Sequence, residues 1–215
     1  MLLPWCSAER IKRVLRIYHA SFTRGIRPIW LLEELGLPYE VEKIDFSPAY
    51  RATQEWRALN PVGKVPVMTD GELTMFESGA MMDYILARYG EGRLMPDPGS
   101  NDYAHYLQWH WFAEATFARP LGEMVNHRRE FPAEQEIPDV LKEMAGRGAE
   151  CAAAVAEHVS DRAYIMGDEF TAADISIGYS LLLCEALIPD QMPTGIQAYW
   201  DRLQARSGFQ VAREL

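Results

Sequence analysis

The sequence predicts an α/β domain followed by an all-helical domain, on three observations. Up to residue 89, short β-branched or aromatic runs alternate with stretches of helical spacing, in the order βαβαββα. Residues 90–101 then gather Gly90, Gly92, Pro96, Pro98 and Gly99, the clearest linker in the chain. Beyond residue 101 every apolar pattern has a helical period and none alternates.

Taken in order, residues 14–18 are a first strand and the polar stretch 21–25 a turn. Pro28, Leu31, Leu32 and Leu35 recur at helical spacing, and Gly36 closes that helix. Pro28 suits an early helical turn, where its missing N–H does little harm. Residues 39–46 read as a second strand, with Val41 and Ile44 set against acidic neighbours. Residues 51–59 form a short helix. Asn60-Pro61-Val62-Gly63 is a turn, and Asp70-Gly71 joins strand 65–69 to strand Leu73–Phe76 in a tight hairpin. Ser78 opens the next helix. In the second half, helices are expected over 103–125, 138–159, 171–187 and 196–206, with a charged, proline-containing loop at 128–138. The domains expected are therefore 1–13, an N-terminal extension; 14–90, the α/β domain; 91–101, the linker; and 102–215, the helical domain.

Composition narrows the function. The chain has 215 residues, 48% hydrophobic and 24% charged, enough for a sizeable core. A formal charge of −10 argues against nucleic acid or an anionic membrane face as partner. No apolar run approaches the roughly 20 residues of a transmembrane helix. The three cysteines, Cys6, Cys151 and Cys184, are widely spaced, which suggests neither a disulfide framework nor a zinc site. A reducing cytoplasm is the compartment expected.

Four local matches give the chain a resemblance. Trp30-Leu31-Leu32-Glu33-Glu34-Leu35-Gly36-Leu37-Pro38-Tyr39, Asn60-Pro61-Val62-Gly63-Lys64-Val65-Pro66, Glu77-Ser78 and Thr171-Ala172-Ala173-Asp174 stand in the order and spacing of the cytosolic glutathione transferases. The chain resembles that family from residue 14 to about residue 206, and within it the serine/threonine-type, bacterial-like members. The resemblance implies a thioredoxin-like N-terminal domain, an all-α C-terminal domain and a homodimer. Burial at a subunit contact would also account for Tyr50 and Trp56 in an otherwise polar segment.

Glutathione carries two carboxylates, an ammonium and a thiol, so its site needs anion donors at two ends and an acid at one. Ser78 at a helix start offers a hydroxyl and free N–H groups to a carboxylate, and Glu77 an acceptor for the ammonium. The alternative for Ser78 is a plain N-cap. The resemblance implies a cis Val65-Pro66 bond, which frees the Val65 backbone to pair with the peptide as an added strand. Lys64 either meets the glycyl carboxylate or is a solvated lysine. Thr23, four residues before Arg27, falls where serine-type members place the hydroxyl that polarises the thiol; a simple helix cap is the competing role. Ser21 is the reserve candidate. A free thiol has a pKa of about 8.5, lowered at helix N-termini and near cations, and one charge-assisted hydrogen bond of about 1.5–3 kcal/mol corresponds to roughly 1–2 pKa units.

In the second half, Tyr106, His110 and Phe117 lie on one helical stripe, either core or the wall of an electrophile pocket. Thr171 and Asp174 have the spacing of a structural capping box. No metal site is expected. The activity implied is a glutathione transferase, in which the thiolate attacks an electrophilic carbon or reduces a peroxide. A glutathione-dependent isomerase or dehalogenase and a non-catalytic binding module of the same fold are the alternatives.

Overall fold

The computed structural model describes residues 14–215; the expected extension 1–13, including Cys6, lies outside the described residues. The chain divides into two compact units, one reaching to Ile85 and taking in Val211–Leu215, the other Leu86–Gln210.

The first unit is built on a four-stranded sheet of order β2-β1-β3-β4. Strand β1 (Leu15–His19) pairs parallel with β2 (Tyr39–Lys43) and antiparallel with β3 (Val67–Asp70), which pairs antiparallel with β4 (Leu73–Phe76). The parallel pair requires a crossover, supplied by helix α1 (Ile26–Leu35). Alternation in β1 turns Leu15, Ile17 and His19 inward and leaves Arg16 exposed, where it meets Glu40 of β2 at 2.9 Å. Helix α1 buries every residue but Glu33 and Glu34, and these two accept hydrogen bonds from the Tyr39 hydroxyl and the Trp30 indole. Gly36 ends the helix at φ 63°, and the Leu37 N–H returns to the Leu32 carbonyl at 3.0 Å.

The helix expected over 51–59 is two short helices, α2 (Pro48–Arg51) and α3 (Gln54–Leu59), capped by Ser47 and Thr53. Trp56 is 1% exposed, packed between Tyr18 and Tyr50 at ring distances of 6.0 and 5.7 Å. Its burial is therefore complete within its own subunit and needs no second one. The unit closes with α4 (Ser78–Tyr89), and the division between units falls inside this helix rather than after it.

The regular structure of the second unit is helical, apart from a single bridge between Tyr164 and Gly167. Its segment before α5 (Asn101–Trp111) is held in place. Leu94, at φ 59°, turns its carbonyl to the Ala172 N–H at 2.9 Å, satisfying a donor at the start of α8 (Ala172–Leu187), and Ser100 caps α5. The long helix expected over 103–125 is interrupted. A π-helical turn, Phe112–Phe117, separates α5 from α6 (Ala118–Glu130). Within it the Ala113 carbonyl accepts the Ser180 hydroxyl at 3.1 Å, and the Thr116 carbonyl lies 3.9 Å from the Cys151 sulfur. Side chains of neighbouring helices thus serve carbonyls that a widened turn presents sideways.

Helix α7 (Pro138–His158) presses Gly148 close to Leu121. Helix α8 is buried almost throughout, and Asp174 at its start accepts from Ile165 N–H, Thr171 N–H, the Thr171 hydroxyl and the Tyr199 hydroxyl, at 2.8, 2.8, 3.2 and 2.9 Å. The capping box is thus the anchor of three segments. Helix α9 (Gln197–Gln204) is followed by one the sequence reading omitted, α10 (Ser207–Glu214), whose Phe209 packs on Trp200 at 5.4 Å.

Candidate functional site

The register of the sheet brings the site together. Tyr18 of β1 stands opposite Val67 of β3, and Val67 opposite Phe76 of β4. The loop after β1, the residues before β3 and the residues after β4 therefore leave the sheet at one end. These three segments contain Thr23 and Ser21, then Lys64, Val65 and Pro66, then Glu77 and Ser78. Seven candidates from three distant stretches of sequence share that end.

The middle segment is a knitted turn. The Asn60 side chain accepts the Val62 N–H at 3.1 Å and donates to the Lys64 carbonyl at 3.0 Å. Gly63 is at φ 63°, and a Cβ there would lie 2.7 Å from the Arg51 carbonyl, so only glycine fits. The Val65-Pro66 bond is cis, and neither the N–H nor the C=O of Val65 enters a hydrogen bond among the described residues. Lys64 is exposed and Pro66 buried.

In the third segment Ser78 is 3% exposed and Glu77 is exposed at φ 74°, a left-handed conformation uncommon for glutamate. Ser78 is the first residue of α4. Its hydroxyl accepts from Arg27 at 3.4 Å. The Arg27 guanidinium is itself 1% exposed, so a buried positive charge stands behind this hydroxyl. Arg27 served only to align the turn in the sequence. The signal that would have singled it out is a lone cation inside the apolar run of α1.

In the first segment Thr23 is half-buried and Ser21 exposed. Thr23 is not the cap of α1: the N-cap is Gly25, with no side-chain cap bond. The Thr23 hydroxyl donates to the Ala20 carbonyl at 2.6 Å, accepts from the Gly25 N–H at 3.4 Å and lies 3.5 Å from His19 Nδ1. The Ser21 hydroxyl donates to the Leu215 carbonyl at 2.8 Å. Phe22, between the two, is exposed at φ 60°. Left-handed Phe22 and Glu77 thus immediately precede the two hydroxyls Thr23 and Ser78, and such strain gathers at functional sites. His19 is fully buried, and burial followed by the charge of Lys43 lowers its pKa to about 4, so the ring is neutral. The sequence reading passed over His19. Its place on the inward face of β1, in step with Leu15 and Ile17, was the available signal.

Tyr106, His110 and Phe117 belong to the helical unit and are 1%, 2% and 0% exposed. Tyr106 and His110 stack at 5.6 Å, and His110 Nδ1 meets the Ser176 hydroxyl at 3.1 Å. Their packing is that of a core. Among the described residues no group of three or more His, Cys, Asp or Glu is placed to hold a metal ion, and no helix is long and apolar enough to cross a membrane.

Comparison with known proteins gives the family. Residues 13–87 match the family described as glutathione S-transferase, N-terminal domain. Glutathione S-transferase 4 of Zea mays is 32% identical over 196 residues, covering 84% of this chain and 82% of that protein. Glutathione S-transferase F10 of Arabidopsis thaliana is 27% identical over 209 residues, covering 91% and 94%. Among solved structures, the glutathione transferase URE2P8 of Phanerochaete chrysosporium, crystallised with oxidized glutathione, superposes with a TM-score of 0.82 at 21% identity over 94% of this chain and 95% of that one. The chain belongs to the glutathione S-transferase family, with the thioredoxin-like sheet in its first unit and helices in its second.

Proposed function

We propose that this chain is a glutathione transferase in which Glu77 and Ser78 hold the γ-glutamyl end of glutathione, the Val65 backbone pairs with the cysteinyl residue, Lys64 meets the glycyl carboxylate and Thr23 stabilises the thiolate. The observation that carries the reading is the Tyr18, Val67 and Phe76 register, which sends all these residues to one end of the sheet. Each group has the chemistry its share of the tripeptide requires. Ser78, backed by Arg27, offers positive potential to a carboxylate, and exposed Glu77 an acceptor to the ammonium. Val65 has an N–H and a C=O to give to an extended peptide.

The sulfur then lies toward the loop between β1 and α1. The thiol gives its proton to solvent, and the Thr23 hydroxyl turns from the Ala20 carbonyl to donate to the thiolate. The start of α1 adds favourable potential. The thiolate forms the S–C bond to an electrophilic carbon as the bond to the leaving group breaks. Orientation of the two reactants supplies much of the acceleration.

The test is the thiol pKa of bound glutathione, followed by ultraviolet absorbance of the thiolate. Thr23→Ala is expected to raise it by about 1–2, the worth of one charge-assisted hydrogen bond. Turnover at neutral pH should fall roughly 10–100-fold while glutathione affinity changes little. Ser21→Ala should do less, since its hydroxyl is engaged with Leu215. An unmoved pKa in Thr23→Ala would remove Thr23 from the mechanism.

Family resemblance also supports a cytoplasmic homodimer, although Trp56 no longer contributes to that reading. Light scattering should give twice the 24.5 kDa chain mass; a mass of one chain at micromolar concentration would overturn it.

A further inference from the structure

The hydroxyl of Thr23 is engaged on its donor side. Its 2.6 Å contact to the Ala20 carbonyl takes the proton, so the other two neighbours, the Gly25 N–H at 3.4 Å and His19 Nδ1 at 3.5 Å, face its lone pairs. A hydroxyl has one proton and two lone pairs, which this arrangement uses in full if Nδ1 carries hydrogen. The opposite tautomer would set the Nδ1 lone pair against the Thr23 oxygen. It would also leave an N–H at Nε2, which is buried and has no hydrogen-bond partner. Orphaned buried N–H groups are rare and costly. The inventory therefore selects Nδ1–H, pointing at Thr23.

The placement of the ring is enforced. A Cβ at Gly25 would lie 2.2 Å from His19 Nδ1, so the glycine at the start of α1 is the space in which the imidazole stands. That also explains why this helix begins without a capping side chain.

We propose that His19 is a positioning residue for the transferase reaction: its Nδ1–H anchors the Thr23 oxygen as an acceptor and so directs the hydroxyl proton to the glutathione sulfur. The inference rests on the reading that Thr23 stabilises the thiolate. When glutathione binds, the hydroxyl gives up the Ala20 carbonyl. Two N–H donors then keep the oxygen in place and polarise its O–H bond, making it a stronger donor. The 3.5 Å separation is at the long end of a hydrogen bond and can shorten when the hydroxyl turns. Burial keeps the ring neutral, and Lys43 at the end of β2 is the charged side chain that acts on it in the same direction. A neutral ring can donate at Nδ1 without adding a titration of its own near neutral pH.

The test compares His19→Leu, His19→Asn and His19→Gln by the thiol pKa of bound glutathione. An asparagine amide places its NH2 near the Nδ1 position, whereas a glutamine amide reaches toward Nε2. His19→Leu and His19→Gln should each raise the thiol pKa by about 1, roughly a tenfold loss of thiolate at a pH below it. His19→Asn should stay near the wild-type value. In a Thr23→Ala background the three replacements should add nothing. If His19→Leu fails to fold, the asparagine and glutamine pair still decides. Equal thiol pKa values for these two overturn the proposal while leaving Thr23 in its role. A Thr23→Ala protein with an unmoved thiol pKa overturns both. A further pKa rise on adding His19→Leu to Thr23→Ala overturns the proposal alone, because His19 would then act on sulfur without Thr23.

Discussion

The Arg27 guanidinium lies 3.4 Å from the Ser78 hydroxyl, joining helix α1 to the first residue of α4 across 51 positions of sequence. Both side chains are buried, so the charge is held in low-dielectric surroundings where it acts strongly on an incoming carboxylate. Ser78→Ala is expected to weaken glutathione binding by about 1–3 kcal/mol, the cost of leaving a polar partner unsatisfied. Fold stability should change by about 1 kcal/mol, the net worth of one hydrogen bond. Arg27→Gln should weaken binding comparably, and the double variant should fall short of the sum by at least about 0.5 kcal/mol if the two act as a unit. Calorimetric titration with glutathione measures all three, and strictly additive losses would separate the pair.

Gly25 and Gly146 predict opposite signs for one substitution. A Cβ at Gly25 collides with the His19 ring at 2.2 Å, whereas one at Gly146, inside α7, meets nothing within 4 Å. Gly25→Ala should cost about 1–3 kcal/mol of stability through overpacking. Gly146→Ala should gain about 0.4–1 kcal/mol from a less flexible unfolded chain. Urea melts of the two variants give the comparison directly.

His19 makes stability fall in acid. Its pKa in the folded chain is about 4, below the 6.5 of an exposed histidine, because burial disfavours the cation. Between these values the unfolded chain binds the extra proton and the folded one does not. The stability present above pH 6.5 is therefore lost progressively as pH drops toward 4, and no further below it. The loss should be on the order of 2 kcal/mol at pH 5. His19→Asn, which has no proton to gain, should show a flatter profile over that window in thermal melts at a series of pH values.

Asp174 of the helical unit accepts four hydrogen bonds. Asp174→Ala would leave the N–H groups of Ile165 and Thr171 and the hydroxyls of Thr171 and Tyr199 without their acceptor. Stability should drop by about 3–5 kcal/mol, since a buried partner is removed from several donors at once. The folded fraction should retain glutathione affinity, because none of these groups belongs to the proposed glutathione site. Denaturant melts with and without glutathione separate the two effects.

Much of this is legible in the sequence. Period-two and period-3.6 patterns gave the strands and helices of both halves. Gly36 and Thr171 marked helix ends, and the Asp70-Gly71 turn gave the hairpin. Errors arose where tertiary contacts overrule local pattern. The helix over 103–125 contains a π-turn because Ser180 and Cys151, from other helices, are there to serve its carbonyls. Trp56 looked like an interface residue in a polar segment, but Tyr18 and Tyr50 cover it. The α10 helix is eight residues long, too short for its period to stand out.

The sequence by itself determined the element order, the candidate motifs and the membership in a family, because these depend on residue types at short, fixed spacings. Only the tertiary structure decided which groups meet. It brought Arg27 to Ser78, made Gly25 rather than Thr23 the cap of α1, and set the His19 ring beside the Thr23 oxygen. Such partnerships depend on strand register and on the space a missing Cβ leaves. Those are properties of the packed chain that local spacing does not carry.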